Sequence, residues 1–117
     1  MNSIEVFPDF GRQLKRLHKK YPTLKSEIAA LIDILAENAD YGTRIGDGLY
    51  KIRLASKSKS SGKSGGFRVI TYTALPTLND EQDTTFYHIY LVAIYDKSEI
   101  SNISKHELLA LLKEFLG

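Results

Sequence analysis

The stretch from Gly48 to Tyr72, GLYKIRLASKSKSSGKSGGFRVITY, constrains the fold more than any other part of this chain. Its two strand-like segments are joined by a Lys/Ser/Gly connection without room for the crossover that parallel neighbours need, so they are expected to pair antiparallel. In the first, Leu49 to Ala55, period-two alternation sets Tyr50, Ile52 and Leu54 on one face and Lys51 with Arg53 on the other. In the second, Phe67 to Leu75, the residues Phe67, Val69, Thr71 and Thr73 alternate against Arg68, Ile70 and Tyr72, and either set can face a core. The stretch carries six cations, Lys51, Arg53, Lys57, Lys59, Lys63 and Arg68, and no acid. That pattern predicts a surface for phosphates.

The segments before it read as helices. After a short strand at Ser3 to Phe7, Pro8 and Asp9 open a run in which Phe10, Leu14, Leu17 and Tyr21 recur at helical spacing. Its other faces carry Arg12, Lys15, Arg16, Lys19 and Lys20. For any one of these cations a solvated helix face is the commoner role, and contact with an RNA backbone is the functional alternative. Pro22 and Thr23 interrupt the pattern before a second helix with Leu24, Ile28, Leu31, Ile32 and Leu35 on one stripe, which predicts a helical hairpin. The break from Asn38 to Gly48, with Gly42, Gly46 and Gly48, reads as turns.

Beyond the basic stretch, Pro76 to Asp83 reads as a polar, acidic turn, and Thr84 to Tyr95 as a long central strand covered on both sides. Ser104 to Glu107 match the S-x-x-E capping box and open a last helix with Leu108, Leu109, Leu111, Leu112, Phe115 and Leu116. The predicted architecture is α+β: an N-terminal strand and a helical hairpin packed on a mainly antiparallel sheet, with a C-terminal helix. At 117 residues and 43% apolar content, one domain spanning 1–117 is expected.

Several function classes drop out. With no cysteine there is no disulfide scaffold, thiolate zinc site or Cys nucleophile. His18, His88 and His106 lie in separate elements without ligand spacing, so no metal and no cofactor are expected, and a lone strand histidine such as His88 is more often structural or simply exposed than catalytic. Gly62, Lys63 and Ser64 form a GKS triplet, but the nucleotide-binding motif requires Gly where this chain has Lys57, and a helix rather than a strand afterwards. No apolar run approaches the ~20 residues that cross a bilayer, and a cytoplasmic protein is expected. The formal charge of +2 is modest, so the argument rests on where the cations collect. Clustered Lys and Arg can hold a phosphodiester, stabilise its pentacoordinate transition state and move a proton; crowding depresses lysine pKa values, so Lys is suited to proton transfer and Arg to fixed charge. The Gly-rich loop is too polar to pack alone and is expected to order on a partner.

The segments FGRQLKRLHKKYP, GLYKIRL, GKSGGFRVITY and IYDKSEISNIS, in this order, resemble the RelE/ParE superfamily of bacterial toxin–antitoxin toxins, most closely its RelE/HigB-type members that cut messenger RNA on the ribosome. The resemblance implies a RelE-like fold and a metal-independent endoribonuclease. By position, Lys51 and Arg53 match the cationic strand pair that contacts the messenger and assists proton transfer. Arg68 matches the arginine that stabilises the cleaved phosphate, and Lys97 falls near the family's basic residue at the end of the last strand. Lys63 is added to this catalytic set from the loop, and Lys57, Lys59, Ser64, Tyr95, Arg12 and Lys19 are assigned to RNA contact. The implied partners are messenger RNA, the ribosome and a cognate antitoxin, expected to be a small helix-turn-helix protein. The chain departs from the family where several members place a tyrosine that activates the ribose 2′-hydroxyl; Ser104 stands nearest here. The general base therefore stays open among Lys51, Lys63 and Lys97, with Tyr95 and His106 as poorer candidates. A ParE-like gyrase inhibitor and a non-catalytic RNA-binding module are the alternatives.

Overall fold

A computed structural model describes residues 2–59, 66–74, 77–79 and 84–117. The elements run β1 (Ser3–Val6), α1 (Pro8–Lys20), α2 (Leu24–Glu37), β2 (Thr43–Gly46), β3 (Leu49–Leu54), β4 (Phe67–Thr73), β5 (Thr77–Asn79), β6 (Thr84–Phe86), β7 (His88–Asp96) and α3 (Lys105–Leu116). Among the described residues this is an α+β fold with a five-stranded mixed sheet in the order β1-β7-β4-β3-β2 and a separate β5-β6 hairpin. β1 runs parallel to β7, and the other pairs in the sheet are antiparallel. None of the described helices is long and apolar enough to cross a membrane.

Pro8 sits in the first turn of α1, where its missing N–H costs nothing, and Asp9 at the start with His18, Lys19 and Lys20 at the end complement the helix dipole. Phe10, Leu17 and Tyr21 are buried as the spacing predicts. α2 buries Leu24, Ile28, Leu31 and Leu35. α3 begins at the predicted cap, with the Glu107 backbone N–H donating to Ser104 Oγ at 3.1 Å. Of its apolar side only Leu108 is fully enclosed.

The register assigns the two faces of the sheet. Tyr50, Ile52 and Leu54 share a face with Phe67, Val69, Thr71, Ile94 and Asp96, and α1 with α2 cover it, Tyr21 meeting Phe67 edge to face. Lys51 and Arg53 share the opposite face with Arg68, Ile70, Ala93 and Tyr95. A register shift between Ile70 and Thr71 sets these consecutive residues of β4 opposite Ala93 and Leu91 of β7, passing over Val92 as a β-bulge does. On this second face Phe115 of α3 and Tyr90 both pack against Phe7. The inward face of β4, open in the sequence, resolves into burial of both sides from Phe67 to Thr71.

Three expectations need correction. The stretch from Asn38 to Gly48 is not turns alone but contains β2, joined to β3 by Asp47 and Gly48, both at positive φ (56° and 82°). That two-residue loop is the geometry a right-handed twisted hairpin favours. The segment Thr84 to Tyr95 is not one strand, because the Tyr87 backbone leaves the sheet to accept from Ser3 N–H and donate to Asn2 Oδ1. Its long part, β7, lies next to the centre, which β4 occupies. The start of the polar loop, finally, is packed: Ser56 is buried, and the Thr23 hydroxyl is hydrogen-bonded to both Ser56 and Ser58. Polar residues pack there because polar partners meet them, the Lys57 N–H donating to Glu27 Oε2.

Candidate nucleic-acid interface

The cationic face is assembled from three segments. β3 presents Lys51 and Arg53 two positions apart, so the pleat aims both the same way. β4 places Arg68 directly opposite Arg53, and β7 places Tyr95 directly opposite Arg68. The turn after β7 adds Lys97, whose backbone N–H donates to the Gly66 carbonyl at 3.0 Å. Arg53 is exposed, Lys51 and Lys97 are half-buried, and Arg68 is only 5% exposed. The buried arginine, which donates to the Phe67 carbonyl, belongs to the floor of the site rather than its rim, a depth that the alternation along β4 left open.

Gly42 lets β2 approach β3 here. At φ 107° a Cβ on it would stand 2.8 Å from both the Lys51 carbonyl oxygen and Ile52 Cγ1. Thr43, the next residue, is the cross-strand neighbour of Lys51, so the edge-strand residue directly opposite the lysine is uncharged.

Electrostatics single out Lys51. Partial burial lowers its pKa from the ordinary 10.5, and the charges of Lys97, Arg68 and Arg53 lower it further. Its Nζ donates to Asn102 Oδ1 at 2.6 Å, and Lys97 Nζ donates to the Ser101 carbonyl at 2.6 Å. Both ammonium groups are thus held by neutral oxygens. Tyr95 behaves in the opposite sense: burial raises the pKa of its hydroxyl, against the opposing effects of the Arg68 charge and the Ile103 backbone. It therefore stays protonated, which weighs against it as a base. His106 is exposed in the first turn of α3 and Ser104 serves as that helix's cap.

The remaining assignments scatter. Lys59, assigned to RNA, lies on the other side of the sheet in a buried ion pair with Asp96 and over the rings of Tyr21 and Phe67. Arg12 is exposed on α1 and paired with Asp9; Lys19 and Lys57 are exposed. Arg12 and Tyr95 do meet at one feature, a groove between α1 and α3 that also includes Arg16, Ile103 and Leu111. Lys63 and Ser64 lie outside the described residues. His88 is held at the β1 edge by Ser3 and Glu5, in keeping with a structural role. Among the described residues, no three His, Cys, Asp or Glu side chains gather as a metal site would require.

Asp96 escaped the sequence argument. Its carboxylate accepts from Lys59, from the Tyr21 hydroxyl at 3.0 Å and from the Ser98 N–H and hydroxyl at 2.9 and 2.7 Å. Burial pushes its pKa up, but the bonds from Lys59, Ser98 and Tyr21 outweigh that and lower it from 3.8 to about 2. It thereby closes the turn that carries Lys97. The available signal was the spacing of Asp96 and Ser98, which suits an Asx turn. Asn102 was missed too, because nothing local marks an exposed asparagine as the partner of a lysine in β3.

No protein-family model matches the chain, and no curated protein matches it either.

Proposed function

We propose that this protein is a RelE/HigB-like toxin of a toxin–antitoxin system, a metal-independent endoribonuclease that cuts messenger RNA on the ribosome. The observation that carries this reading is the convergence of Lys51, Arg53, Arg68 and Lys97 on one sheet face, with Lys51 influenced chiefly by burial and positive neighbours. Such a face attracts a phosphodiester and gains most when negative charge grows on it, as it does in the pentacoordinate transition state. The arginines supply fixed charge. Lys51, with its lowered pKa, is the best placed of the described groups to take the proton from the ribose 2′-hydroxyl, whose oxygen then attacks the adjacent phosphorus. The P–O bond to the 5′ oxygen breaks, and Lys97 is suited to protonate that leaving group. The products are a 2′,3′-cyclic phosphate and a 5′-hydroxyl. The ribosome positions the message, and a small helix-turn-helix antitoxin silences the protein.

Primer extension on messages from induced cells, with and without a translation inhibitor, tests the reading. Breaks that vanish when translation is blocked are expected. Lys51→Ala or Arg68→Ala is expected to reduce them about 100-fold, the scale of losing one transition-state charge contact. Toxicity that survives both substitutions, with no new message ends, would instead favour inhibition of a target such as gyrase.

A further inference from the structure

Lys51 lies in β3 and Lys97 in the turn after β7, yet their ammonium groups are bound by consecutive residues, Asn102 Oδ1 and the Ser101 carbonyl, each at 2.6 Å. The segment that supplies these acceptors is anchored at both ends. Glu99 and Ile100 donate their backbone N–H groups to the Asp96 carbonyl at 3.0 Å, and Glu99 is paired with Arg16. At the far end Ile103 packs against the core and Ser104 caps α3. Asn102 itself is exposed, so it sits where a ligand approaching Lys51 would arrive.

We propose that Asn102 is a positioning residue for Lys51, its side-chain carbonyl fixing the Nζ over the cationic face without adding a charge that would repel phosphate. The inference rests on the RNA-cleavage reading. An unheld lysine samples many rotamers about its flexible four-carbon stem, and a reacting group displaced by a fraction of its length loses most of its rate advantage. A carboxylate in the same place would hold Lys51 equally well. It would also neutralise the lysine's charge, raise its pKa and weaken its use as a base.

The groups that set the Lys51 titration are Arg53 on its own strand, Arg68 on β4 and Lys97 after β7. From β2 it meets the neutral Thr43, and Lys105 of α3 is engaged by Asp47 at 2.7 Å. Asn102 is thus the neutral side chain that bonds the ammonium directly, and a charge added there removes no cation.

The experiment compares the parent chain with Asn102→Asp and Asn102→Ala, each checked for an unchanged thermal melt. The Lys51 titration is followed by NMR of its Cε and Nζ nuclei, and cleavage by translating ribosomes carrying a defined message. In Asn102→Asp the Lys51 midpoint is expected to rise by about one pH unit, and the Lys51-dependent limb of the pH–rate profile to move with it. In Asn102→Ala, kcat is expected to fall about tenfold with KM within about twofold. An unmoved midpoint in Asn102→Asp, or Asn102→Ala cleaving at the parental rate, would overturn the proposal. Should the parent cut no message, the cleavage reading fails on that arm alone, and the NMR midpoint still decides whether Asn102 holds Lys51.

Discussion

Lys51 shows how a residue acquires chemistry from its neighbours. On an exposed strand it would be an ordinary ammonium, but here burial, Lys97, Arg68 and Arg53 all disfavour its charged form. A depressed lysine pKa means the unfolded chain binds more protons between the folded pKa and 10.5, so stability rises with pH through that window. Lys51→Met is therefore expected to stabilise the protein most at neutral pH, with the advantage shrinking as pH climbs toward 10.5. Urea unfolding at several pH values checks this, and an advantage that grew with pH would contradict it. Residue type and alternation alone brought Lys51 and Arg53 together in the sequence. The depth of Arg68 did not follow from them, because both sides of β4 are apolar and only the sheet order settles which cation is covered.

At the scale of elements, the legible parts were those with local signals. The α3 start followed from Ser104 and Glu107, and replacing Ser104 by Ala is expected to cost about 1 kcal/mol of stability, read from a denaturant midpoint. α1 and α2 followed from apolar spacing and from Pro8 and Pro22. What failed depended on partners distant in sequence. β2 is short and polar, and becomes a strand only because β3 pairs with it across the Asp47-Gly48 turn. Tyr87 breaks the last long strand because Asn2 and Ser3 claim its backbone. The start of the polar loop is packed because Thr23, Glu27 and Asp96 wait for it. Loop composition describes an isolated segment and carries no information about a buried carboxylate 37 residues away.

For the molecule as a whole, Asp96 is the joint between the two sides of the sheet. On the helix side it binds Tyr21 and Lys59, and through Ser98 it shapes the turn that delivers Lys97 to the cationic side. Its carboxyl is held at about 2 against an ordinary 3.8. A lowered carboxyl pKa adds stability that is complete above 3.8 and is lost as pH falls toward 2; the difference is worth roughly 2 kcal/mol. Acid unfolding should therefore steepen through that window. Asp96→Asn should flatten it while costing roughly 3 kcal/mol at neutral pH, because Lys59 is left buried without its counter-charge. The same variant is expected to slow RNA cleavage by loosening Lys97, so one substitution on the helix side reports on a site on the other.

The central claim is that Lys51, Arg53, Arg68 and Lys97 form a surface that cuts RNA. The most direct test is to mix purified protein with ribosomes translating a defined message and to identify the ends that form. The parent should produce 2′,3′-cyclic phosphate and 5′-hydroxyl ends without added metal, and Lys51→Ala and Arg68→Ala should each form them about 100-fold more slowly. Intact message with the parent, or cleavage as fast with both variants, would contradict the account.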